Sequence, residues 1–256
     1  MLEYLHSYAL NPERIMKSII LDEIPFQPSL ERAAQALRIR LGSARSGSAR
    51  SDSSQIEQVS DLLNQARQIA RPKAIFRPVL VEERTENRIT LDGISFKSRV
   101  LQVNTRDVHR MFAFVATCGQ ELEEWKGSFD DLLQSYYADQ INALALQTAR
   151  EALHEHLRKR YHLKESSTMN PGSLEDWPIS EQVPLFELLG DVAGAIGVKL
   201  LPSMLMSPGQ SVSGLRYASQ GDFTSCQLCP IENCPHRKAP FQPGLYQEKY
   251  GDKPGI

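Results

Sequence analysis

The chain has 256 residues, 41% of them apolar and 23% charged, and its 29 basic and 31 acidic side chains give a formal charge of -2. That is the make-up of an ordinary globular protein with a real core, long enough for one large or two modest domains. A near-neutral chain carries no general electrostatic footprint for nucleic acid or an anionic membrane, so neither is expected as a partner.

The most apolar stretch, 185–206, is interrupted by Glu187, Asp191, Lys199, glycines and a proline, which excludes a span through about 30 Å of hydrocarbon. The first residues lack the basic region and apolar core of an export signal. A cytoplasmic protein is therefore expected.

Along the chain, Asn11 and Pro12 open a segment with Ile15, Ile19 and Ile20 at helical spacing, and a second helix is predicted over 28–41. Residues 1–41 thus read as an N-terminal helical segment. Over 42–55 the serine, glycine and arginine content rises and nothing apolar larger than alanine remains, so a flexible linker is predicted. Ile56, Val59, Leu62, Leu63, Ala66 and Ile69 then recur every three or four residues as an amphipathic helix, ended at Arg71-Pro72.

Strands are predicted over 75–82, 88–96 and 111–117, with Asp92-Gly93 turning a hairpin. The strongest helical pattern runs over 130–161 and ends in the basic run His156, Arg158, Lys159 and Arg160, a favourable charge for a helix carboxyl end. A helix near 181–189 and strands near 198–201 and 214–218 follow. The fold class is α+β, with an antiparallel sheet flanked by helices, over 56–222; residues 223–256 form a cysteine-rich tail.

Four features bear on chemistry. Cys226, Cys229 and Cys234, followed by His236, have the spacing C-x2-C-x4-C-P-H. In a reducing compartment that pattern favours a metal over disulfides. Three thiolates and His236 would complete a tetrahedral zinc site, while three thiolates with an open position would hold an iron–sulfur cluster, and the spacing does not choose between them. Cys118, in Ala116-Thr-Cys-Gly119, reads as a small buried residue. His109, His154, His156 and His162 read as packing or surface residues. No nucleophile elbow, phosphate-binding loop or zinc-protease helix is present.

The remaining stretch is Met169-Asn-Pro-Gly-Ser-Leu-Glu-Asp-Trp-Pro178, then Leu185-Phe-Glu-Leu-Leu-Gly190, then Ser203-Met-Leu-Met-Ser-Pro-Gly-Gln-Ser-Val-Ser-Gly214. In order and spacing it resembles the activation domain of cobalamin-dependent methionine synthase, which binds S-adenosylmethionine. The resemblance is clearest over 136–218 and does not reach the linker or the cysteine tail. It implies a twisted antiparallel sheet flanked by helices and a cofactor pocket at Met169, Asn170, Pro171, Gly172, Ser211, Ser213 and Gly214.

The resemblance also implies a role. The chain would act as a stand-alone module that docks on a separate corrinoid protein and assists reductive reactivation of cob(II)alamin in a methionine synthase or related methyltransferase system. No corrinoid-binding Asp-x-His-x-x-Gly motif occurs in these residues, so cobalamin would be met only on the partner. The family's Arg-x-x-x-Gly-Tyr motif has Thr168 and Ser173 at its arginine and tyrosine positions. Loss of a charge-assisted contact to a carboxylate costs about ten- to a hundredfold in affinity, so S-adenosylmethionine is expected to bind weakly or not at all. The alternative is a noncatalytic, metal-stabilised adaptor or corrinoid-handling module that has lost that cofactor.

Overall fold

The structure, a computed structural model, describes residues 17–39, 49–219, 223–234 and 237–251. Its centre is a seven-stranded antiparallel sheet in the order β4-β3-β2-β5-β9-β6, with β1 added to β2. The strands are β1 (Ile19–Leu21), β2 (Lys73–Arg84), β3 (Arg88–Leu91), β4 (Ile94–Lys97), β5 (Arg110–Thr117), β6 (Ser166–Met169) and β9 (Ser211–Ala218); β7 (Lys199–Leu200) and β8 (Met206–Ser207) form a separate hairpin. β2 is long enough for β1 and β3 to share one edge at opposite ends, while β5 runs along the other.

The middle of the sheet is buried on both faces, and β5 there is apolar at every position from Met111 to Ala116. Met111, Ala113 and Val115 join Leu215, Tyr217 and Met169 in one core. Packed there are α3 (Arg99–Asn104), α6 (Gln182–Leu189), α7 (Val192–Ile196) and Tyr250 of α8 (Leu245–Tyr250). Phe112, Phe114 and Ala116 face the other way, against α5 (Leu132–Tyr161). Beyond them lies a third cluster where α5 meets α1 (Leu30–Ala36), α2 (Ala49–Ile69) and α4 (Gln120–Gly127).

The Asp92-Gly93 turn matches its expectation: both residues have positive φ, 44° and 83°, as the right-handed twist of a two-residue hairpin demands. The predicted long helix is α5, capped by Asp131, whose carboxylate accepts from the Gln134 amide at 2.8 Å. Its basic end is partly neutralised on the helix itself, where Glu155 pairs with Arg158 at 2.7 Å and Lys159 at 3.1 Å.

Three expectations need correction. Ile19 and Ile20 are not helical but lie in β1, opposite Phe76 and Ile75; two adjacent β-branched residues gain more by joining an open sheet edge than by continuing a helix. The helix predicted from 55 starts at Ala49, so the second half of the 42–55 segment is helix. The helix predicted over 28–41 is shorter, from a Ser29 cap to Ala36. Asn11, Pro12, Ile15 and residues 42–48 lie outside the described residues.

The described residues of both flanking segments pack on the rest of the fold. Arg32 pairs with Glu151 at 2.8 Å and the Ser18 hydroxyl donates to the Leu189 carbonyl at 2.6 Å. At the other end Tyr250 is 1% exposed in the main core, and the Arg99 guanidinium donates to its carbonyl at 3.0 Å. No helix among the described residues is long and apolar enough to cross a membrane.

Candidate functional site

β6 runs antiparallel to β9 with Met169 opposite Leu215, so the loop leaving β6 must pass over Ser213 and Gly214. The Asn170 side-chain amide donates to the Ser213 carbonyl at 2.6 Å. A Cβ on Gly214 would lie 2.6 Å from the Met169 carbonyl oxygen and 2.6 Å from Asn170 Nδ2; glycine is there because the loop's backbone occupies the space.

The two sequence segments assigned to a cofactor pocket are thus in contact. Their side chains divide by role. Met169 is fully buried in the core. Ser213 is 3% exposed and its hydroxyl donates to Gln182 Oε1 at 3.0 Å, while Gln182 Nε2 donates to the Met204 carbonyl at 2.8 Å. Ser211 sits further along β9, hydrogen-bonded to the Thr117 hydroxyl at 2.9 Å. Of the seven residues, Gly172 lines an open cleft, and Ser173 lines it too.

That cleft has a volume of about 840 Å³ and is walled by three segments: Gly172 to Asp176 on one side, Lys97 to Val100 on another, and the cysteine tail through Cys229, Ile231 and Phe241. Ser173 joins the loop to the tail: its hydroxyl donates to the Asn170 carbonyl at 2.6 Å and lies 3.4 Å from the Ser225 hydroxyl.

Asp176 organises the cleft. Its carboxylate accepts from the Arg99 and Val100 amides at 3.2 and 2.9 Å, from the Ser98 hydroxyl, and from the Tyr246 hydroxyl at 3.0 Å. A carboxylate supplied across the fold thus satisfies the otherwise unpaired amides at the start of α3. Burial, and then the Asp176 charge, push the Tyr246 hydroxyl well above the usual phenol range. Asp176 was not among the predicted site residues, although Leu-Glu-Asp-Trp lies within the diagnostic stretch.

In the tail, Cys226, Cys229 and Cys234 are free thiols on a loop gathered by Arg237. That guanidinium donates to the carbonyls of Cys226 at 3.0 Å, Cys229 at 3.1 Å and Ala239 at 3.2 Å, and to Ile231. The Lys238 amide donates to Cys226 Sγ at 3.4 Å and, as the largest cause, lowers the Cys226 thiol below its ordinary value. Among the described residues no three His, Cys, Asp or Glu side chains are arranged to hold a metal; His236 lies outside them. Cys118 is fully buried, and burial pushes its thiol up to about 12.

Thr168, at the family's arginine position, faces away from the cleft. It pairs across the sheet with Arg216, whose Nε donates to the Thr168 hydroxyl at 3.0 Å and whose Nη1 donates to His154 Nδ1 on α5 at 2.8 Å. The Arg216 guanidinium, paired across the strands with Thr168, therefore points toward α5. Thr168 and Ser173 thus bring neither the charge nor the ring of the motif's arginine and tyrosine to these two positions.

No protein-family model matches this chain, and no curated protein matches it. A solved structure described as the MetH reactivation domain bound to AdoHcy is similar over 82% of this chain and 81% of its own length, with a TM-score of 0.56 and 15% sequence identity. At that identity the likeness concerns architecture, and it agrees with the α+β sheet described above. The chain has the fold of the methionine synthase reactivation domain.

Proposed function

We propose that this chain is a reactivation-domain-like protein that docks on a separate corrinoid protein and assists the reductive reactivation of cob(II)alamin in a methionine synthase or related methyltransferase system. The observation that carries this reading is the joining of the 169–173 loop to β9 at Asn170 and Ser213 in a fold shared with the reactivation domain. The cysteine tail, for which the resemblance offered no counterpart, forms one wall of the adjoining cleft.

The docking face follows from exposure. Ser213 and Gly214 are buried, so the contact falls on their exposed apolar neighbours. Val183 of α6 is 48% exposed, and Leu201 and Leu205 of the β7–β8 hairpin are 40% and 63% exposed; the Gln182–Met204 bond ties these two elements together. A transient encounter calls for a small interface, below about 1,200 Å².

Cys226, Cys229 and Cys234, with His236, are the proposed metal ligands, because they are free thiols on one braced loop and one of them is biased toward thiolate. An iron–sulfur cluster would relay single electrons there, whereas zinc would brace the loop. Arg237 binds the loop through its carbonyls and not through its sulfurs. No step is assigned to S-adenosylmethionine.

A second reading, a noncatalytic metal-stabilised adaptor or corrinoid-handling module, is favoured by Thr168 and Ser173 in place of the cofactor arginine and tyrosine. Co-elution with a purified cob(II)alamin protein tests docking under both readings. The wild type should co-elute and Leu205→Asp should not, with its fold unchanged; failure of the wild type to co-elute would overturn both.

A further inference from the structure

A larger concavity, about 1040 Å³, lies at the end of β6 remote from the 169–173 loop. The carboxyl end of α3, the first residues of β5, the last residues of β9 and the C-terminal tail form its walls. Its lining combines three features that a solvent-filled groove does not require.

The first is unpaired polar atoms. Tyr217 is 1% exposed and its hydroxyl has no hydrogen-bond partner among the described residues; Asn104, whose Oδ1 accepts from the Tyr250 hydroxyl at 3.0 Å, leaves Nδ2 buried and unpartnered among them. Buried polar groups are rarely left so, and both residues line the cavity. The second is charge: Arg106, Arg110, Lys164 and Lys249 line it against the carboxylates of Asp107 and Glu165, in a chain whose overall charge is negative. The third is an aromatic floor. Lys249 Nζ lies 5.2 Å from the centroid of Phe223 and 5.4 Å from that of Tyr250, with Leu245 and Val108 beside it on the lining. Burial lowers the Lys249 ammonium from its ordinary value, although its side chain stays exposed.

We propose that this cavity binds a small aromatic anion, its ring against Phe223 and Leu245, its negative group met by Lys249 and Arg106, and an acceptor atom taken by the Tyr217 hydroxyl. The volume suits such a ligand, since small-molecule sites run to about 300–1,000 Å³. Nothing in this proposal depends on the corrinoid reading.

The test is fluorescence titration of the full chain with 1-anilinonaphthalene-8-sulfonate beside its uncharged relative N-phenyl-1-naphthylamine. The sulfonate should saturate at one site and bind at least about tenfold more tightly than the neutral compound, the worth of one charge-assisted contact. Lys249→Gln with Arg106→Gln should remove that preference. Tyr217→Phe, which deletes a hydroxyl that no described residue bonds, should weaken the sulfonate several-fold and leave the melting temperature unchanged or higher. Absence of saturable binding, equal binding of the neutral compound, or variants that bind like the wild type would each overturn the proposal.

Discussion

The Asn170 side-chain amide lies 2.6 Å from the main-chain oxygen of Ser213, and that bond fastens the loop leaving β6 to the middle of β9. It joins two segments 43 residues apart in sequence and fixes the edge from which Gly172 and Ser173 open into the cleft. Gly214 beside it has no room for a methyl group.

Asn170→Ala should therefore destabilise the protein by about 1 kcal/mol, the net worth of one hydrogen bond. Gly214→Ala should cost more, about 1–3 kcal/mol, because the new Cβ meets backbone that cannot swing away. Thermal denaturation checks the order. A Gly214→Ala protein as stable as wild type would contradict the packing of the loop on β9.

The cysteines should separate by chemistry. In metal-free protein, alkylation of Cys226 should set in at lower pH than for an ordinary thiol, since the Lys238 amide favours its thiolate and the thiolate is the nucleophile. Cys118, buried and pushed up to about 12, should stay unlabelled until the protein unfolds. After anaerobic purification, Ser at position 226, 229 or 234 should each lower bound metal, and Cys118→Ser should not. Full metal occupancy in the triple Ser variant would rule the loop out as the site.

Calorimetry with S-adenosylmethionine should show weak binding or none. Thr168 carries no charge at the motif's arginine position, Arg216 is engaged with it and with His154, and Arg99 on the cleft wall is spent on the Tyr250 and Glu86 carbonyls. Dissociation constants in the low micromolar range would mean that other groups, such as Lys97 on the cleft wall, had taken over the role.

His154 should make the fold acid-sensitive in a defined window. Burial first, and then the Arg216 and Arg158 charges, hold its imidazole below the ordinary value of 6.5, with Glu155 opposing. Its nitrogen accepts from Arg216, so the folded protein keeps it neutral. As pH falls below 6.5 the unfolded chain takes up the proton before the folded chain does, and stability declines until the folded pKa is passed. His154→Gln should flatten that part of the profile, measured as denaturation midpoint against pH. An unchanged slope between pH 6.5 and 5 would show that the decline has another source.

Much of the sheet is legible in the sequence. The apolar run of β5 and the Asp92-Gly93 turn have local causes, and so does the stripe of α5. β1 is not legible, because Ile15, Ile19 and Ile20 fit a helical period and only the open edge of β2 makes a strand the better outcome. β6, Ser-Ser-Thr-Met, has too little apolar alternation to be read as a strand. α3 is hidden for a different reason: Asp176, more than seventy residues away, caps its first amides beside Ser98. For the site, the order of the motifs predicts that the 169–173 loop and the Ser211–Gly214 segment belong together. It does not show that Ser213 and Met169 serve the core, nor that the cysteine tail closes the cleft, since both depend on contacts made across the whole fold.

The measurement that bears most directly on the proposed role is the cobalt absorption spectrum of a purified cob(II)alamin protein mixed anaerobically with the chain loaded with an iron–sulfur cluster and chemically reduced, the cluster being the one-electron donor. The account predicts loss of the cob(II)alamin band with wild-type protein, and no loss with Leu205→Asp, which removes the docking face, or with the triple Ser variant of Cys226, Cys229 and Cys234. Co-elution without any spectral change would contradict reactivation and favour the adaptor. An equal spectral change with Leu205→Asp would contradict docking through the α6 and β7–β8 face.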